Sequence, residues 1–113
     1  MLLLKKVDVN WRNMLTGITP LMICAKKGCS DLLDALLKCE KIKIDCTDSL
    51  QRTALFYAVE SDNGENVNII SSLVAARANI NLIDNKGRNV LMIAIEKGNY
   101  ETVKLLLDNN VNT

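Results

Sequence analysis

The groups in this chain that could carry chemistry are few and poorly placed for it. There is no histidine among the 113 residues. That removes Ser-His-Asp and Cys-His catalysis, imidazole metal ligands and the commonest general base. Four cysteines occur, Cys24, Cys29, Cys39 and Cys46, all in the first half. Their spacings lack the close Cys-x-x-Cys pairs of a zinc site, so free thiols are expected rather than a metal centre or a disulfide framework. Cys29 follows Gly28 and precedes a helical pattern, a place where a helix N-terminus can activate a thiol; a loop thiol is the simpler reading. Asp31 and Asp34 fall on one helix face and could be imagined as an acid–base pair, as could Glu60 and Asp62. Asp31 suits compensation of a helix dipole and Asp34 a solvated face. No apolar cleft is evident around either pair. The five glycines lie far apart, so no loop cradles a phosphate. Asp62-Asn63-Gly64-Glu65 lacks the alternating oxygen ligands and terminal Glu of a calcium loop. No catalytic residue, cofactor or metal is expected.

Composition narrows the remaining classes. Apolar residues make up 49% and charged residues 24%, ordinary for one folded domain. Aromatics are scarce (Trp11, Phe56, Tyr57, Tyr100), so the core must come from Leu, Ile, Val and Ala, which suits small interlocking helices. The net charge of +1 supplies no field for a polyanion or an acidic membrane. Lys26, Lys27, Lys38, Lys41 and Lys43 tinge one stretch basic, yet lack the basic excess and interleaved aromatics of a nucleic-acid surface. No apolar run approaches the ~20 residues that span a bilayer. Met1-Leu2-Leu3-Leu4-Lys5-Lys6 has too short an apolar run, and its charge on the wrong side, for a signal peptide. With four free thiols and no complete Asn-x-Ser/Thr sequon, a cytoplasmic setting is expected, with the nucleus as the alternative.

The elements that must position these residues announce themselves by repetition. Gly17-Ile18-Thr19-Pro20-Leu21-Met22-Ile23-Cys24-Ala25 recurs as Gln51-Arg52-Thr53-Ala54-Leu55-Phe56-Tyr57-Ala58-Val59 and again as Gly87-Arg88-Asn89-Val90-Leu91-Met92-Ile93-Ala94-Ile95. From Gly17 to Gln51 is 34 residues and from Gln51 to Gly87 is 36. Such a period marks a stacked array of helical units, and arrays mostly serve as binding surfaces. Cys24 shares its register with Ala58 and Ala94 and reads as a small buried residue. In the third copy, Asp84-Asn85-Lys86-Gly87 forms a turn. Val90, Leu91, Ala94 and Ile95 then recur on one helix face. Gly98-Asn99 breaks the helix, and a second follows from about Glu101 to Asn109, with Val103, Leu106 and Leu107 inward and Leu105 flanking. In the second copy Leu55, Ala58 and Val59, then Ile69, Ile70, Leu73 and Val74, are expected to face inward. In the first copy Leu21, Cys24 and Ala25, then Leu32, Leu33, Leu36 and Leu37, do so, with Pro20 starting the first helix.

These residues resemble the ankyrin repeat. Gly-x-Thr-Pro-Leu stands at Gly17 to Leu21, and Asp-x-x-Gly at Asp84 to Gly87. The Gly before the second helix is Gly28 and Gly98. The Val-Asn exit appears as Val9-Asn10 and Ile80-Asn81, with Ile44-Asp45 as a variant. The likeness implies an all-α solenoid of stacked antiparallel helix pairs with projecting hairpin-like turns. It divides the single domain 1–113 into the tail of a preceding repeat (1–12) and repeats at 13–47, 48–83 and 84–113. The departures carry expectations of their own. The family's His is Met22, Phe56 or Met92 here, so the turns should be looser. Thr53-Ala54 and Asn89-Val90 replace the Thr-Pro helix start. The Gly that ends each second helix is missing, with Lys41, Arg77 and Asn110 near its place, and Arg or Lys adopts a left-handed cap less readily. Ser61-Asp62-Asn63-Gly64-Glu65-Asn66 is an insertion of about three residues, expected on a surface loop. Leu2 to Asn10 starts in mid-helix, Thr113 stops as a turn should begin, and neither end has a polar cap. A segment of a longer array, or a minimal array that pairs with something, would look so.

The resemblance also implies where a partner protein would sit: on the concave face, at the turn tips and the outer side of each first helix. Carried over, the tip positions are Leu15, Thr16 and Ile18; Ser49, Leu50 and Arg52; and Asn85, Lys86 and Arg88. The helix positions are Lys26 and Lys27; Glu60 and Ser61; and Glu96 and Lys97. Leu15, Ile18 and Leu50 are apolar where solvent is expected, so they form a contact patch or pad the junction between turns. Trp11 either covers the edge of the first copy or is an exposed anchor. Non-catalytic protein–protein recognition follows, by a monomer or part of a longer array. The alternatives are a regulatory or targeting segment of a larger enzyme or channel, and a nucleic-acid or nucleotide binder.

Overall fold

A computed structural model describes residues 8–61 and 66–109 of the chain. Six helices pair in order: α1 Pro20–Lys27 with α2 Ser30–Leu37, α3 Ala54–Glu60 with α4 Asn66–Ala75, and α5 Val90–Lys97 with α6 Tyr100–Asp108. Among the described residues there are no strands, and the expected all-α stack of helix pairs is what forms. The first helices pack in a row, α1 on α3 and α3 on α5, while α2, α4 and α6 form a second layer. The body is elongated, 41 × 26 × 23 Å. The Leu2–Val7 part of the expected half-repeat, the loop 62–65 and the turn at 110–112 lie outside the described residues.

Local chemistry sets the helix ends. Thr19 caps α1 by accepting from the Met22 N–H at 3.3 Å, with Pro20 in the first turn. Asn89 does the same for α5, accepting from Met92 N–H at 2.9 Å, and Asn99 for α6, accepting from Thr102 N–H at 3.1 Å. Loss of the Thr-Pro pair therefore moves no helix start. Gly28 and Gly98 close α1 and α5 in left-handed conformation. Arg77 does this for α4 at φ 71°, with Ala78 N–H reaching Leu73 C=O and Arg77 N–H reaching Val74 C=O. A Schellman cap thus forms without its glycine.

The core runs the length of the stack, and the middle helix is its densest part. Every residue of α3 from Ala54 to Val59 is buried. The helical stripe places only Leu55, Ala58 and Val59 inward; Ala54, Phe56 and Tyr57 are buried as well because α1 and α5 press on α3 from both sides. Met22 and Ile93 join the core for a related reason. Three expected core residues are not inside: Leu32, Ile95 and Leu107 are exposed. They belong to the outer hairpins, each of which has a described neighbour on one side alone. Leu37, Val74, Val103 and Leu105 are half-buried against the core.

Turns stack as the helices do. Asn13, Asp48 and Asp84 stand at matching places, and each uses its side-chain oxygen to bind backbone N–H groups of its own turn. Ser49 N–H donates to Thr16 C=O at 2.8 Å and Asn85 N–H to Leu50 C=O at 3.0 Å, tying each turn to the one before. Farther along, Asn10 bridges Lys41 C=O and Lys43 N–H, and Asp45 accepts from Asn79 N–H. The family's missing His leaves Met22 and Phe56 as core side chains, and these backbone ties join the turns instead.

Each turn carries one residue at positive φ: Gly17 at 76°, Gln51 at 63° and Gly87 at 76°. A Cβ on Gly17 would lie 3.0 Å from Asp48 Cα and 3.0 Å from Ser49 N, whereas a Cβ on Gly87 would meet nothing within 4 Å. Urea unfolding should rank the three positions accordingly. Gln51→Gly relieves a left-handed side chain and stabilises by about 1 kcal/mol. Gly87→Ala costs about 1 kcal/mol, and Gly17→Ala about 3 kcal/mol because the neighbouring turn must also move. Equal costs at Gly17 and Gly87 would contradict the close packing of the first two turns.

Candidate binding surface

The buried carboxylates of the second and third turns organise one face of the stack. Asp48 Oδ1 accepts from Leu50 N–H and Arg52 N–H, each at 2.9 Å, which shapes the turn. Its Oδ2 accepts from Arg52 Nε at 3.3 Å and from the Tyr57 hydroxyl. Asp84 repeats the pattern with Lys86 and Arg88 N–H, and its Oδ2 lies 3.1 Å from Arg88 Nη2. The Arg52 guanidinium lies 4.6 Å from the Tyr57 ring centroid and donates to its hydroxyl at 3.1 Å.

These arginines join neighbouring repeats. Glu60, near the end of α3, takes Arg52 Nη1 on Oε2 at 3.2 Å and faces Arg88 Nη2 with Oε1 at 3.7 Å. Arg88 Nη1 continues to Glu96 Oε2 at 3.5 Å. Alternating charge thus runs Arg52, Glu60, Arg88, Glu96, from the second and third turns to the last residues of α3 and α5. Burial by itself would raise Asp48, but the bonds from Tyr57 and from the Arg52 and Leu50 N–H groups, with the Arg52 charge, hold its carboxyl below the ordinary range. For Asp84 burial is likewise overruled, by the Arg88 and Lys86 N–H groups and the Arg88 charge. Burial first, and the bond to Asp48 second, push the Tyr57 hydroxyl up to about 12.

The positions carried over from the resemblance separate into groups. Lys26, Arg52, Glu60 and Ser61 line one groove of about 380 Å³ together with Tyr57. Arg88 and Glu96 extend it through their ion pairs. Leu15 and Ser49 line a second recess, at the tips, with Arg12, Asn13, Met14 and Gly17. Leu15 is 90% exposed and its neighbour Met14 98%, while Leu50 is exposed at the next tip. Ile18 is half-buried and packs against the core. Thr16 gives its carbonyl to the Ser49 tie. Asn85 and Lys86 are exposed at the third tip, and Lys27 and Lys97 on the helices. Trp11 is half-exposed beside the first turn.

Sequence reasoning passed over Asp48, Asp84, Tyr57, Arg12 and Met14 as members of this surface. The pairs Asp48/Arg52 and Asp84/Arg88, four residues apart in two copies, were the available signal. Tyr57 had none, because its register partners Ile23 and Ile93 are apolar. All four thiols are free; Cys24 is buried, and burial first and neighbouring Cys29 second push it up. Among the described residues no group of His, Cys, Asp or Glu could hold a metal, and no helix is long and apolar enough to cross a membrane. Among the described residues the arrangement offers hydrogen bonds, charge and apolar contact.

The Tyr57 bond is directly measurable. The folded state favours the neutral phenol, so its stabilisation is complete below the ordinary tyrosine value of about 10 and is lost as pH rises through the folded value. In a Tyr100→Phe background, phenolate absorbance should titrate near 12 in the folded chain. A midpoint at about 10 before unfolding begins would remove the buried Tyr57–Asp48 bond from the account.

A family model described as ankyrin repeats (3 copies) matches residues 1–82 and 63–113. The chain is 29% identical over 93 residues to the transient receptor potential cation channel subfamily A member 1 of Drosophila melanogaster, covering 79% of this chain and 8% of that protein. It is 38% identical over 68 residues to inversin of Mus musculus, covering 60% of the chain and 6% of the relative. To inversin of Gallus gallus it is 40% identical over 63 residues, 56% of the chain and 5% of the relative. The chain therefore spans less than a tenth of the length of these curated relatives. Three helical hairpins in register, joined turn to turn, agree with the family match over both halves: this chain belongs to the ankyrin repeat family.

Proposed function

We propose that the chain is a non-catalytic recognition module that binds a partner protein along its turn tips and first helices. Ankyrin repeats are generally protein–protein interaction modules and generally non-catalytic. The observation that carries the reading for this chain is the conjunction of apolar side chains at solvent-facing tips with a fixed polar row beside them. Met14, Leu15 and Leu50 stand out where a folded turn has no use for them. Arg52, Glu60, Arg88 and Glu96 are already positioned by one another and by buried carboxylates. Anchors held this way lose little conformational entropy on binding. Apolar contacts at Leu15 and Leu50 supply affinity, and the charged row, with Lys26, Lys27, Ser61, Lys86 and Lys97 around it, supplies orientation. Thr16, Ile18, Ser49 and Asn85 act by holding the tips.

A second reading rests on length. The relatives are far longer than the matched stretch, and one is named as a member of a cation channel subfamily. On this reading the chain is a regulatory or targeting segment, and the surface engages another part of a larger enzyme or channel. Both readings place the chain in a reducing compartment, the cytoplasm or the nucleus, on the support of its four free thiols. A net charge of +1 gives the nucleic-acid reading no comparable support.

The recognition reading is tested by affinity capture with the wild-type chain, followed by titration of the captured protein against variants. Leu15→Glu and Leu50→Glu should each weaken binding by roughly 10-fold or more while leaving helical circular dichroism unchanged. Lys104→Glu, on the far layer of helices, should leave binding unaltered. Equal loss with Lys104→Glu, or undiminished binding by both leucine variants, would move the surface elsewhere.

A further inference from the structure

Beside the first turn lies an arginine that the fold positions and does not neutralise. Asn13 stands where the later turns have Asp48 and Asp84. Its side-chain oxygen accepts from Leu15 N–H at 2.8 Å and Thr16 N–H at 3.0 Å, so this turn is shaped as its neighbours are, without their negative charge. Arg12 precedes it and donates through Nη2 to Thr47 C=O at 2.7 Å, which holds the guanidinium across the junction with the second turn. Gly17 leaves room for that course, since a Cβ there would lie 2.9 Å from Arg12 Nη2.

The other two arginines of this face are matched by carboxylates. Arg52 meets Asp48 and Glu60, and Arg88 meets Asp84, Glu60 and Glu96. Among the described residues no carboxylate pairs with Arg12. Asp48, in the adjoining turn, has both oxygens taken by Arg52, Tyr57 and backbone N–H groups. A guanidinium carries five N–H donors in a flat fork that matches a carboxylate. Apart from the Thr47 bond, those of Arg12 meet no described acceptor.

Arg12 lines the tip recess of about 280 Å³, and it is the one charged side chain among the described residues there. Met14 and Leu15 stand at the rim, 98% and 90% exposed, and Trp11 is half-exposed next to Arg12 in the chain. We propose that this recess receives a carboxylate from a partner protein: an Asp or Glu side chain, flanked by apolar residues, seated on the Arg12 guanidinium. The proposal rests on the recognition reading for the tips and adds the chemistry of what they recognise. One cation among apolar side chains suits a single carboxylate on an apolar segment. A nucleic-acid backbone calls for several cations together. Because Thr47 already holds Arg12 in place, little side-chain freedom is lost when the carboxylate arrives.

The test titrates the full chain against immobilised short peptides, built from mixed Leu, Ile, Phe and Ala around one fixed central residue: Glu, Gln, Lys or phosphoserine. The Glu set should bind roughly 10-fold more tightly than the Gln set. Arg12→Gln should erase that difference with helical circular dichroism unchanged, Arg12→Lys should keep part of it, and Arg12→Glu should turn the preference to the Lys set. Equal binding of the Glu and Gln sets, or a Glu preference that survives Arg12→Gln, would overturn the proposal. If such binding is still lost in Leu50→Glu, the tips remain a recognition surface and the carboxylate alone is removed. A Glu preference that needs Arg12 but is untouched by Leu50→Glu would keep the Arg12 site and remove Leu50 as an apolar anchor. Tighter binding of the phosphoserine set than of the Glu set would overturn the proposal by assigning Arg12 to a phosphate. Loss of helical signal in both Arg12→Gln and Arg12→Lys would overturn it by making the Thr47 tie a structural one.

Discussion

A pair of helices of seven to ten residues cannot bury both of its sides. Here the middle hairpin closes one side against the hairpin before it and the other against the hairpin after it. The consequence is clearest in α3, where Ala54, Leu55, Phe56, Tyr57, Ala58 and Val59 are all buried although a lone amphipathic helix would expose half of them. Core character is therefore a property of position in the array as much as of residue type. Val59 and Ile95 are similar side chains at one register position; one is sealed and the other is open.

Stacking also decides where polar groups go. Helices packed through Leu, Ile and Ala set the spacing at which one turn meets the next, and the backbone ties Ser49 to Thr16 and Asn85 to Leu50 follow. With the turns fixed, Asp48 and Asp84 can be buried because each of them finds backbone N–H groups and an arginine. The arginines then reach across to Glu60, which links two repeats. A hydrophobic repeat thereby produces an ordered charged row on one face, set by the same register that makes the core.

Much of this was legible in the sequence, because a period of 34 to 36 residues repeats both the apolar stripe and the turn. Helix positions, the glycine caps at Gly28 and Gly98 and the exposed tips at Leu15 and Leu50 follow from local chemistry. What was not legible depends on neighbours. Leu32, Ile95 and Leu107 carry the same apolar signal as residues inside, and only the end position exposes them. Tyr57 was hidden for the opposite reason: in an apolar register it reads as core, while its hydroxyl reaches a carboxylate whose burial the neighbouring turn creates. Arg77 and Gln51 show the limit of propensity, since both hold left-handed conformations that their residue types disfavour.

Native-state hydrogen exchange tests the central claim most directly, because it ranks the stability of each helix within the intact chain. If neighbours supply the stability, the Tyr57, Ala58 and Val59 amides of α3 exchange only through global unfolding. Amides of α5, sealed on one side, then exchange through a smaller opening that leaves α3 protected. Exchange of α3 through local opening, at a free energy no higher than that of α5, would contradict the account.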